Sequence, residues 1–298
     1  MKVKFWGVRG SVPTPGPTTV RYGGNTTCIE VRASGTLIIL DAGTGIRELG
    51  YTLTDQGTPL HISLLITHTH WDHINGFPFF PPAFVGENAI DVYGTPLKDR
   101  TLEQIFSSQM DYSFFPITQT QMDASLNFHD IKETTFFIND IQISTRYMNH
   151  PVLNLGYRIS HKGKSIFFTG DHEPHYNIKR LQGTENDEDQ LANIDAMVNK
   201  LNQSIVDFVQ DVDLLICDAT YTPEEYNSHV GWGHASTDQV LDLAVRAGVK
   251  KLVLTHHEPA HSDEKMDKIH SYALKKVRDM TKSPPLIITA MEKMVIEA

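Results

Sequence analysis

Residues 62–73 read Ile62-Ser63-Leu64-Leu65-Ile66-Thr67-His68-Thr69-His70-Trp71-Asp72-His73, and the rest of the chain is best understood outward from them. The apolar first half predicts a buried strand. In a strand or extended loop alternate residues point the same way, so His68 and His70 can grip one metal together. Asp72 and His73 follow at the turn and can face a second. Imidazole and carboxylate suit Zn²⁺, Mn²⁺ or Fe²⁺. A polar surface turn does not need four such side chains directly behind a buried strand. The chain holds 15 histidines in 298 residues, about twice the usual share, and several close apolar runs.

Strands are expected on both sides of this stretch. Val3–Val8, Thr27–Arg32 and Leu37–Leu40 are apolar and β-branched, parted by turn residues such as Gly23-Gly24-Asn25. Asp41-Ala42-Gly43-Thr44-Gly45 leads into a helix over 46–53. Further strands are expected at Ile141–Tyr147, Gly156–Ser160 and Ser165–Phe168, the last two as a hairpin. A polar loop covers 180–190, and an amphipathic helix Gln190–Val209. Strand Asp213–Cys217, helix Ala235–Ala247, strand Leu252–Thr255 and helix Glu264–Met280 come next, and Leu286–Ile288 closes the chain. Strands dominate first and then alternate with helices, which predicts one α/β domain over 1–298.

Segment 77–128 stands apart. Ten of its 52 residues are aromatic, against 9 % for the whole chain. It is read as an inserted lid or subdomain, and its aromatic surface could serve a homodimer interface. The net charge of −10 speaks against tight binding of long nucleic acids. It leaves room for a small anionic substrate, because metal ions supply local positive charge. No apolar run reaches the ~18–20 residues of a membrane span, and the opening Met1-Lys2-Val3-Lys4 lacks signal-peptide character. A cytoplasmic location with no membrane partner is expected. Cys28 and Cys217 lie in apolar runs and read as buried thiols.

His68-Thr69-His70-Trp71-Asp72-His73 matches the HxHxDH signature of the metallo-β-lactamase superfamily, and the chain resembles that family over nearly its whole length. The resemblance implies a four-layer αββα sandwich with two divalent metals at one edge of the sheets, zinc first, manganese or iron as alternatives. It implies His150 of Met148-Asn149-His150-Pro151 as third ligand of the first metal. It likewise implies Asp171 of Thr169-Gly170-Asp171 as the bridging carboxylate, and His256 of Leu254-Thr255-His256 as last ligand of the second, with His257 the alternative there. Asp41 resembles the family's early Asp, which supports the ligand loop.

Two further motifs, Gly233-His234-Ala235-Ser236-Thr237 and Cys217-Asp218-Ala219-Thr220-Tyr221, are similar to the paired motifs of ribonuclease Z and related phosphodiesterases, where the ribonuclease typically carries Glu at the Asp218 position. They imply that His234, oriented by Asp218, acts on the phosphate and its leaving group. A water bridging two metals would lose its proton near neutrality and attack phosphorus in line, with Asp72 at the metal edge of that chemistry. His172 and His175 are expected near the pocket and His229 at its entrance. His61, His129, His161, His261 and His270 are expected on the surface or in turns.

The expected activity is hydrolysis of a small phosphodiester, a cyclic nucleotide foremost. The opening Phe5-Trp6-Gly7-Val8-Arg9-Gly10-Ser11 and Arg21-Tyr22-Gly23-Gly24-Asn25 resemble a bacterial cyclic-nucleotide phosphodiesterase-like branch. tRNA 3′ processing is the alternative. Against it, segment 77–128 offers only Lys98 and Arg100 beside six acidic residues. An ester, thioester or lactam hydrolase shares the first motif but not the later pair. A non-enzymatic binding module comes last, since such relatives usually lose ligands.

Overall fold

The computed structural model describes residues 1–57 and 59–298. Its elements run β1 (Lys2–Gly7), β2 (Cys28–Ala33), β3 (Thr36–Leu40), α1 (Gly45–Thr54), β4 (His61–Leu65), α2 (Trp71–Ile74), β5 (Ala89–Gly94), α3 (Leu102–Ser108) and β6 (Ser125–Asp130). They continue as β7 (Thr135–Ile138), β8 (Ile141–Met148), β9 (Asn154–His161), β10 (Lys164–Phe168), α4 (Ile178–Gln182), α5 (Glu188–Val209), β11 (Leu214–Asp218), α6 (Pro223–Tyr226), α7 (Thr237–Arg246), β12 (Lys251–Thr255), α8 (Asp263–Met280), β13 (Leu286–Thr289) and β14 (Val295–Glu297).

Two seven-stranded sheets result, in the orders β14-β1-β2-β3-β4-β5-β6 and β13-β12-β11-β10-β9-β8-β7. Strand alternation explains why they stack. In β3, Ile38 and Leu40 join the core between the sheets, while Leu37 and Ile39 face an outer core with α1 and α3. In β11, Leu214 and Ile216 enter the same central core, and Leu215 and Cys217 pack outward with residues of α5, α7 and α8. Both faces of each sheet are therefore covered, the four-layer αββα sandwich. Among the described residues no helix is long and apolar enough to cross a membrane. Both cysteines are buried and free.

The structure departs from the sequence expectations in several places. Segment 77–128 contributes β5 and β6 to the first sheet, each parallel to its neighbour. Its Phe77, Phe80 and Phe106 are fully buried in the outer core. Buried Ile90 and Val92 alternate with half-buried neighbours along β5, a strand pattern obscured in the sequence by the aromatic density around it. Residues 180–190 are not all loop: α4 ends on Gly183 in the left-handed region, and α5 starts at an Asp187 cap. The chain closes with β14 rather than β13, because Val295–Glu297 pairs antiparallel with β1.

One consequence of the topology positions the site. The parallel pairings β3–β4 and β10–β11–β12 bring strand ends of like polarity to one edge of the sandwich. Strand β8 runs with β10, since both are antiparallel to β9. Loops leaving these ends carry Asp41, His68–His73, His150, Asp171 and His256, and Asp218 is the last residue of β11, as expected for ligands at the carboxyl ends of parallel strands.

Candidate active site

The loop after β4 starts on a buried carboxylate. Asp41, just past β3, accepts the Thr67 amide at 2.7 Å and the Thr67 hydroxyl at 2.9 Å, and takes the His73 Nδ1 proton at 2.7 Å. Thr67 Oγ1 in turn lies 3.1 Å from His68 Nδ1. His150 Nδ1 donates to the Gly233 carbonyl at 2.9 Å. Thr220 Oγ1 lies 3.0 Å from His256 Nδ1 and donates to Asp218 at 2.6 Å. These partners each engage the Nδ1 side of a ring, the arrangement that orients a ligating histidine, while Nε2 of His150 faces His70 and Nε2 of His256 faces Asp72, at 3.1 Å each.

The inward atoms converge. His68, His70, His150 and Asp171 form one group whose donor atoms all lie within 4.8 Å of one another, and Asp72, His73, Asp171 and His256 form a second. Asp171 belongs to both through different oxygens. Its Oδ2 is 3.4 Å from His68 and 3.8 Å from His150, and its Oδ1 is 3.3 Å from His73 and 3.2 Å from His256. His68 Nε2, His73 Nε2 and Asp171 Oδ1 are buried and make no hydrogen bond. Orphaned polar atoms of this kind are costly. A soft-to-borderline cation in each group would satisfy them, so the donor sets fit two divalent metals.

Electrostatics separates the groups. Burial pushes His68 well below its ordinary pKa, and lowers His70 and His150 as well. Burial acts on His73 too, but the carboxylates of Asp171, Asp72 and Asp41 outweigh it and hold that ring well above the usual range. His256 is raised against burial by Asp171 and Asp72. Asp171 itself resists the upward push of burial because His256, His73 and His68 surround it, and stays well below the usual carboxylate range.

His234 stands at the rim. Its Nδ1 donates to Asp218 Oδ2 at 2.8 Å, so the Asp arm reaches the ring. Burial opposes the charged ring, yet Asp218 and Asp171 lift it to about 9. Ser236, capping α7 by accepting from the Gln239 amide, fixes the turn that presents it. An open cleft of about 530 Å³ lies over His70, Asp72, Asp171 and His234. Trp71 lines it and is 81 % exposed.

The backbone is shaped around the cluster. Asp41 and His256 hold φ of 60° and 58°, a left-handed conformation unusual for non-glycine residues. A Cβ at Gly10 would meet the His256 ring at 2.3 Å, so only glycine lets β1's exit loop approach it.

The structure brings together His68, His70, Asp72, His73, His150, Asp171, Asp218, His234 and His256, whereas His175, expected near the pocket, bonds through its backbone to Asn202 instead. His257 is not part of the donor cluster: its Nε2 lies 2.9 Å from the Ala290 carbonyl, on the far side. His261 is a correction. It was expected at the surface but is buried, with Nε2 3.0 Å from Glu225 and its carbonyl accepting from Arg9. His172 is buried, and its amide donates to Asp218. His229 stacks on Tyr221 and meets Trp232 edge-on. Sequence reasoning missed Ser11, whose amide donates to Asp72 at 2.7 Å, and Glu173. It quoted the Asp218-Ala219-Thr220 motif without a role for Thr220. A hydroxyl two residues past a strand-end Asp was the available signal.

A family model for the beta-lactamase superfamily domain matches residues 36–257. The ribonuclease Z of Lachnoclostridium phytofermentans is 25 % identical over 285 residues, 87 % of this chain and 88 % of the relative. Among solved structures, the metallo-beta-lactamase fold protein YhfI from Bacillus subtilis aligns with a TM-score of 0.68 at 17 % identity, over 100 % of this chain and 98 % of that one. Human tRNase Z, short form, aligns at 0.63 and 18 %, over 100 % and 99 %.

Proposed function

The chain belongs to the beta-lactamase superfamily and is a metal-dependent hydrolase, and from that premise we propose that it hydrolyses phosphodiesters, with a small cyclic nucleotide as substrate. The observation that carries the reading is the His234–Asp218 pair, 2.8 Å apart, set beside the shared carboxylate Asp171. His68, His70 and His150 would hold one cation, Asp72, His73 and His256 the other, with Asp171 common to both. Zinc is the first expectation, manganese or iron the alternatives. When bound, the cations supply Lewis acidity to the phosphate oxygens and activate water.

The chain's own groups do the rest. Asp218 fixes the His234 tautomer with the proton on Nδ1 and stabilises the imidazolium. His234, charged near neutral pH, offers a proton to the departing alkoxide or a cation to the anionic phosphate. Trp71 presents a bare indole face along the cleft, the kind of surface on which one nucleobase stacks. Ester, thioester or lactam substrates would not call for the His234–Asp218 pair.

Processing of tRNA 3′ ends is the second reading. It is favoured by the ribonuclease Z relative, which this chain matches over most of its length. The acidic, aromatic composition of 77–128 weighs against it.

A panel of 3′,5′- and 2′,3′-cyclic nucleotides, a bis-aryl phosphate and a tRNA precursor, with metal-reconstituted and chelated protein, tests both. Chelator-sensitive turnover of a cyclic nucleotide is expected. Turnover of the precursor alone would promote the ribonuclease reading, and silence on every phosphodiester would overturn both. His234→Ala should lower kcat by about 10²–10⁴-fold while two metals remain bound. Full activity in that variant would remove the role assigned to His234. Trp71→Ala should raise KM for the nucleotide by about one to two orders of magnitude, leaving a non-aromatic phosphodiester unaffected.

A further inference from the structure

Two residues past Asp171, Glu173 is 2 % exposed, and among the described residues no cation pairs with it. A buried carboxylate without a counter-charge needs a full set of donors. Glu173 finds them in one short stretch: the Tyr226 hydroxyl at 2.7 Å, the Gly231 amide at 2.9 Å and the Gly233 amide at 3.0 Å. Its backbone engages the opposite wall of the site. The Glu173 amide donates to the Asn149 carbonyl at 2.9 Å, and its carbonyl accepts from the Asn149 side chain at 2.9 Å.

His150 lies between these two attachments. It follows Asn149 directly, and its Nδ1 proton goes to the carbonyl of Gly233. Gly233 holds φ 88°, and a Cβ there would stand 2.3 Å from His150 Nδ1. The peptide carrying that carbonyl therefore presses close on the ring, and Glu173 grips the same residue through its amide. The next residue is His234. One carboxylate outside the donor cluster thus fixes the strap that orients His150 and presents His234.

We propose that Glu173 is a positioning residue: by clamping residues 226–233 it sets the tautomer and direction of His150, and so tunes the first donor set without acting on the second. The part about metal affinity rests on the reading of His68, His70 and His150 as that set. The part about the His150 ring does not.

The test uses the full chain with Glu173→Gln, which keeps the side-chain volume but turns one acceptor into a donor, and Glu173→Ala beside it. In metal-free protein, nitrogen-15 NMR should find His150 protonated at Nδ1 in the wild type and mixed between tautomers in Glu173→Gln. Competition with a chromogenic chelator should show one Zn²⁺ weakened by about 10–100-fold, the one that His150→Ala also weakens, and the other changed less than about threefold. Wild-type tautomer and both wild-type affinities in Glu173→Gln would overturn the proposal. So would equal weakening of both ions, which a merely structural role produces. A shifted tautomer in a chain that holds no Zn²⁺ would uphold the positioning of His150 and overturn the metal reading.

Discussion

The two donor sets share Asp171 but are built from different materials. The set of His68, His70 and His150 has half-buried members, one carboxylate, and a backbone carbonyl behind His150. The set of Asp72, His73 and His256 is buried throughout, has two carboxylates, and is backed by Asp41 and by Thr220 with Asp218. In the first set burial lowers the pKa of the rings. In the second, carboxylates raise the pKa of His73 and His256 against burial. A cation entering the first set competes less with protons than one entering the second, which gains more negative charge. The sets should therefore differ in affinity, in exchange and in pH response.

The largest expected effect removes what they share. Asp171→Ala should lose at least one metal per chain and about 10³-fold or more of the activity. Elemental analysis that still finds two ions would break the assignment of a common carboxylate. Next comes metal removal. Stepwise chelation at pH 8 should empty the open, singly charged first set before the second. Repeating the titration at pH 6 should narrow that gap, because the raised His73 and His256 compete for protons more than the lowered rings of the first set, so falling pH weakens the second set more. Simultaneous loss of both ions at each pH would mean that the sets act as one. The smallest effect sharpens the role of the supporting groups. Thr220→Val takes the hydroxyl from His256 and should weaken the second ion by about tenfold, sparing the first.

The chain displays these sets unequally. His68, His70, Asp72 and His73 are legible because they fall within six consecutive positions behind an apolar strand, so local geometry alone gathers them. His150, Asp171 and His256 each end a strand far along the chain, and only the resemblance to a family linked them to the first four. The dyad was legible from the motifs containing Asp218 and His234, yet the 2.8 Å contact depends on how β11 and α7 meet. Glu173 gave no pattern, since its partners are the Tyr226 hydroxyl and the amides of Gly231 and Gly233, all far along the chain. The left-handed Asp41 and His256 were equally hidden, because Asp and His favour that conformation more than most residues but adopt it too seldom for residue type alone to mark it. In the fold, β3, β4 and β8 to β12 follow from alternation and apolar runs. Strands β5 and β6 were obscured by aromatics that also serve the outer core, and β14 is only three residues long.

The division of the sandwich along the chain has a practical consequence. Apart from β14, the first sheet is complete by Asp130 and the second starts at Thr135. A nick between them would leave an amino-terminal fragment carrying His68, His70, Asp72 and His73, and a carboxyl-terminal fragment carrying His150, Asp171 and His256. Neither fragment owns a whole donor set, and among the described residues β14 is the one strand of the carboxyl-terminal part that joins the first sheet. Divalent ions would then act as the adhesive of a two-piece protein, and the chain becomes a design for a split reporter whose reassembly reads out metal.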